Sequence, residues 1–125
     1  MNSGRTIGSL AVSAIVGASV LAAQDAAAAD TYAAIAFSTV NGYSGYGNRY
    51  PSRAEAEERA LQECGESCEV VMWVRNQCAV LVTGKGYGYG TNRSADEDEA
   101  VAGAIAQCEL YTTDCTNIVM ACSAY

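Results

Sequence analysis

Ala33-Ala34-Ile35-Ala36-Phe37 and Cys78-Ala79-Val80-Leu81-Val82 are the two stretches on which the reading of this chain turns. Each is a short apolar run with β-branched residues, bounded by turn formers, which suits a buried strand. Both lead into the same succession of segments. After the first come Gly42-Tyr43-Ser44-Gly45-Tyr46-Gly47, a helical stretch from Ser52 to Cys64, and Cys68 opening Val70-Val71-Met72-Trp73-Val74. After the second come Gly84-Lys85-Gly86-Tyr87-Gly88-Tyr89-Gly90, a helical stretch from Ser94 to Cys108, and Cys115 opening Asn117-Ile118-Val119-Met120-Ala121. Two copies are fewer than the three or more a solenoid needs. The pattern describes one pseudo-symmetric domain.

Each helix announces its start. Ser52 with Glu55 forms a capping box, in which the hydroxyl accepts from a free backbone N–H and the Glu reaches back. Ser94 with Glu97 repeats the signature, and acidic residues crowd both first turns, where the helix dipole favours them. Gly65 stands where a left-handed cap ends the first helix. Ala56, Ala60, Leu61 and Cys64 fall on one stripe, matched by Ala100, Ala104, Ile105 and Cys108. Each Gly/Tyr segment holds a further strand, its glycines permitting a turn or bulge. The expectation is an α+β domain. Its two tandem strand-strand-helix-strand units form one mixed sheet with two helices on one face. Strand order does not follow from the sequence.

Six cysteines, Cys64, Cys68, Cys78, Cys108, Cys115 and Cys122, read as a disulfide framework in a small exported chain. Zinc is the rival reading. With no His it would need an all-cysteine site, and an oxidising compartment removes thiolates. The repeat suggests the pairing: Cys64–Cys68 and Cys108–Cys115 as matching local bridges, with Cys78–Cys122 left by elimination. The Cys-x-x-x-Cys spacing of the first bridge is not that of thiol oxidoreductases. The long loop closed by Cys78–Cys122 is worth about 4 kcal/mol in the chain-entropy model.

The sequence also suggests where the chain goes. Arg5, an uncharged run from Ile7 to Ala23, and small residues ending in Ala27-Ala28-Ala29 fit a cleavable signal peptide over residues 1–29. Residues 30–125 are then a single domain, exported to the periplasm or secreted. The chain has 125 residues and a formal net charge of −7. Phosphate backbones and anionic lipid heads repel such a domain. Nucleic acid is therefore not expected as a partner, nor is membrane insertion of the mature domain.

Ala34-Ile35-Ala36-Phe37-Ser38, Ser52-Arg53-Ala54-Glu55-Ala56-Glu57 leading to Cys64-Gly65, Cys68-Glu69-Val70-Val71 and Cys78-Ala79-Val80 together resemble the domain-of-unknown-function family 4189. The resemblance spans roughly Tyr32 to Cys122. It implies an exported bacterial protein and brings no established activity and no catalytic residues. The gap between Cys108 and Cys115, longer than that between Cys64 and Cys68, departs from the first copy's pattern.

Chemistry is narrowed by what is missing. Without His there is no ordinary Ser-His or Cys-His catalysis, and the commonest general base and metal ligand are gone. No phosphate-binding or dinucleotide fingerprint is present. No catalytic residue, metal ligand or cofactor is expected. Asp96, Glu97, Asp98 and Glu99 are the carboxylates that glycoside hydrolysis would use, but a dipole-favoured helix start accounts for them. Tyr43, Tyr46, Tyr87 and Tyr89 are the candidate binding residues, since Tyr offers an apolar face with a polar tip. Two equivalent Gly/Tyr segments would make one two-fold patch. Trp73, inside an apolar strand, reads as core. The sequence names no reaction. It favours a secreted, disulfide-stabilised interaction module binding a protein or envelope component. The alternatives are a small carboxylate-dependent hydrolase acting on glycan or cell-wall material and a structural or stress-protective envelope protein.

Overall fold

The computed structural model describes residues 29–123, so the expected signal peptide lies almost wholly outside the described residues. The elements are β1 (Tyr32–Phe37), β2 (Ser44–Tyr50), α1 (Arg53–Cys64), β3 (Glu69–Arg75), β4 (Cys78–Thr83), a 3-10 turn (Lys85–Tyr87), β5 (Tyr89–Ser94), α2 (Glu97–Glu109) and β6 (Asn117–Cys122). The class is α+β, and both halves run strand-strand-helix-strand.

The single mixed sheet with both helices on one face gives way to two antiparallel sheets of three strands, ordered β2-β1-β3 and β5-β4-β6. The reason lies in β1 and β4. Each has a partner from its own half on either edge, so neither sheet needs a strand from the other. All of β4 and all but the first residue of β1 are buried. Strands apolar at successive positions need cover on both faces. Ala34 and Ala36 pack on α1 through Ala56, Ala60 and Cys64. Val80 and Val82 pack on α2 through Ala100, Ala104 and Cys108. The alternate residues Ala33, Ile35 and Phe37 meet Ala79, Leu81 and Ala121 between the sheets. The layers therefore run α1, sheet, sheet, α2, with β3 against β5 and β2 against β6.

Small side chains set the helix–sheet distance. A β-carbon on Gly45 would lie 2.3 Å from the Ala60 carbonyl oxygen, and one on Gly90 would lie 2.3 Å from that of Ala104. These two glycines hold the same place, opposite Ala36 and Val82. Only hydrogen fits there.

The caps split. Ser52 accepts from the Glu55 N–H, the first half of the capping box; the Glu55 carboxylate reaches back to the Ser52 hydroxyl rather than to its backbone N–H. In the second half Asp96, not Ser94, caps the helix, accepting from the Glu99 N–H at 3.1 Å. Ser94 is still strand, paired with Cys78, so its backbone is not free to begin a helix. Its hydroxyl instead accepts from the Asp96 N–H. Gly65 closes α1 at φ 110°. Leu61, at the rim of its stripe, is exposed.

The disulfides are Cys64–Cys68, Cys108–Cys115 and Cys78–Cys122. Such a framework suits an oxidising compartment. Among the described residues no helix is long and apolar enough to cross a membrane.

Candidate binding site

Four loops meet at one end of the molecule. The Ser38 and Ser67 hydroxyls hydrogen-bond at 2.8 Å, joining the β1–β2 and α1–β3 loops. The Lys85 N–H donates to the Thr113 carbonyl, and the Thr112 hydroxyl to that of Lys85, joining the 3-10 turn to the α2–β6 loop. The Tyr87 ring lies on Gly42 so closely that a β-carbon there would be 2.5 Å from it, linking the two pairs. Cys64–Cys68 and Cys108–Cys115 brace the helix–strand loops of this end. Val40, Tyr43, Tyr87, Leu110 and Tyr111 all project from these loops and are 45–78% exposed. Exposed large side chains are thus gathered at one end of the described residues.

From this end a groove runs down the side where β3 faces β5. Its upper cavity, about 480 Å³, is lined by Thr39, Val71, Tyr87, Tyr89, Gln107 and Tyr111. Its lower cavity, about 560 Å³, shares Val71 and Gln107 and continues to Trp73, Arg53 and Arg93. Ile35 pairs with Met72 while Ala36 pairs with Val70, leaving Val71 as a bulged extra residue. A bulge re-aims side chains, and here Val71 and Met72 both pack against the inter-sheet core.

Tyr87 and Tyr89 share the upper cavity. Tyr89 is half-buried, edge-on to Phe37 at 5.2 Å between centroids. Tyr43 stands at the same end, its N–H bonded to the Asn41 side chain. Tyr46 lies apart, on β2 opposite Ile35. The tyrosines do not form a two-fold patch. In the register against β1 and β4, Tyr89 occupies the place of Ser44, and Tyr46 that of Thr91. Trp73 lies at the margin of the core: it packs against the cluster of Ala34, Ala36, Ala56 and Ala60 but is only partly buried, lining the lower cavity, stacked on Tyr32, with the Arg53 guanidinium 4.2 Å from its ring centroid. An edge strand leaves one flank of each side chain uncovered, which the apolar run alone does not reveal.

Sequence reasoning did not single out Val71, Gln107, Tyr111, Arg53 or Arg93 as site residues. Only Tyr111 offered a signal, as an aromatic residue inside the Cys108–Cys115 loop.

Asp96 and Glu99 serve the α2 cap. Cys78, Cys122 and Glu97 bring metal-ligand types within 4.8 Å of one another. The two sulfurs are bonded to each other, so they offer no thiolate.

Comparison with curated proteins finds no match, and comparison with solved structures finds none. One family model does match, described as Domain of unknown function (DUF4189), over residues 32–122, from the first strand to the last. The chain belongs to that family.

Proposed function

We propose that this chain is an exported, non-enzymatic binding module that takes a protein or envelope component at the loop end and groove around Tyr87. The observation that carries this reading is Tyr87 itself. It is a half-exposed aromatic at φ 63°, a left-handed conformation that costs a non-glycine residue about 1 kcal/mol or more. It lies between the groove cavity and a second one reaching Lys85 and Asn117. Strain of this kind persists where the surroundings over-determine it, and it clusters at ligand-contacting positions.

The test is capture from envelope and medium fractions by the native protein and by Tyr87→Ala. A partner held by the native protein and lost by a folded Tyr87→Ala supports the reading. Equal capture, or turnover on glycan or cell-wall substrates that a Glu97→Gln change abolishes, would sink it. Export is tested by intact mass: a chain beginning near Asp30, with six thiols appearing only on reduction, is the expected result.

A further inference from the structure

We infer that the outer edge of β3 takes an extended polypeptide segment as an added strand, with an acidic side chain of that segment held by Arg53 and Arg93. The inference deepens the binding reading above and rests on it.

The edge comes first. β3 pairs with β1 alone, and among the described residues no backbone group of Val70–Val74 has a hydrogen-bond partner on the other side. A row of unpaired N–H and C=O groups is a template for another strand. The facing edge of β5 is partly closed, because the Thr91 N–H donates to the Gln107 side chain. β2 carries a left-handed Arg49 near its end, and neither cavity of the groove reaches it. β6 carries no charged side chain. Among the described residues, β3 is the sheet edge that combines an unpaired ladder, a flanking groove and cations.

Charge selects the occupant. The chain carries −7 overall, yet the lower cavity is lined by two arginines and one carboxylate, Arg53, Arg93 and Glu57. Glu57 pairs with Arg53. Arg93 makes no ion pair among the described residues. The two arginines come from different halves and line the same cavity. A local positive site on an acidic surface admits an acidic side chain and repels a basic one. Arg guanidinium groups also suit carboxylates geometrically.

Trp73 is the single tryptophan of the chain and lines this cavity, so its emission reports occupancy directly. The probe is a capped seven-residue peptide, Thr-Val-Thr-Glu-Thr-Val-Thr, titrated into the oxidised protein. Its controls are a Lys-for-Glu version and one N-methylated at alternate backbone amides. The expected result is a saturable blue shift with the Glu peptide and at least tenfold weaker binding of the Lys peptide. The N-methylated peptide should give no binding. Arg93→Ala, with its fold checked by circular dichroism, should lose about tenfold for the Glu peptide. Equal binding of Glu and Lys peptides, undiminished binding of the N-methylated one, or no response would overturn the inference. So would a dimer of the protein that Val71→Lys dissociates, since the edge would then belong to a second copy. Because the readout uses a synthetic probe, silence at Trp73 beside intact Tyr87-dependent capture rejects strand addition and leaves the binding reading standing.

Discussion

In the first half Gly47 on β2 lies against the Ala56 carbonyl and the Arg59 side chain of α1. In the second half the corresponding strand residue is Asn92, and the helix residue facing it is Gly103. The large and small partners have changed sides. Gly45 and Gly90 have not: each meets helix backbone that no side-chain change can move. The halves also close differently. At the mouth of the first sheet the Asn76 N–H donates to the Thr31 carbonyl, and the Thr31 N–H to the Asn76 side chain. At the mouth of the second, Cys78 and Cys122 stand opposite each other and are covalently joined. One architecture thus exchanges large for small between Gly47 with Arg59 and Asn92 with Gly103, and keeps glycine in both halves at Gly45 and Gly90.

The largest expected effect tests the closure. Replacing Cys78 and Cys122 by Ala should cost about 4 kcal/mol, against about 2 kcal/mol for Cys64 and Cys68, whose closed loop is far shorter. Denaturant titration of both double variants measures this, and equal losses would deny that the second half depends on its long bridge. Gly45→Ala and Gly90→Ala should each cost about 3 kcal/mol by overpacking against fixed backbone. A large inequality between their midpoint shifts would show that one helix can retreat. Gly103→Ala should cost about 1 kcal/mol in the native protein, where the new methyl meets the Asn92 amide. In an Asn92→Gly background the same change should stabilise by up to about 1 kcal/mol, through helix propensity alone. A double-mutant cycle without that change of sign would break the exchange argument. The smallest effect concerns the loop end. Tyr87→Gly should move stability by less than about 0.5 kcal/mol, as relief of strain offsets lost packing on Gly42. Circular dichroism melts check this, and a larger fall would make Tyr87 a structural residue.

Much of the fold was legible because its signals are local. Ser52 with Glu55, the Ala56-Ala60-Cys64 stripe and the apolar run at Ala33–Phe37 each report on a few neighbouring residues. What escaped was relational. That Ile35 and Leu81 face each other across two sheets depends on which face of each strand a helix takes, and the alternation of Ala34 with Ile35 does not name its cover. The site was harder still. Tyr87 could be suspected from its type, but its stacking on Gly42 joins residues from different halves. Val71 enters the groove through a bulge that no pattern in Val70-Val71-Met72 announces. Arg53 and Arg93 resemble any solvated cations until the sheets bring them to one cavity.

The end opposite the loops holds both points where the described chain enters and leaves: the Thr31 hydroxyl donates to the Ser123 carbonyl, and Ser123 and Gln77 exchange hydrogen bonds. A domain anchored in this way hangs from a single pole. Tension applied through residues 31 and 123 would peel β1 away bond by bond rather than shear a whole ladder at once. It would then stop at Cys78–Cys122, which shields the 44-residue separation behind it. The first half could release at most roughly 160 Å of slack, while the second stayed folded like a knot on the line.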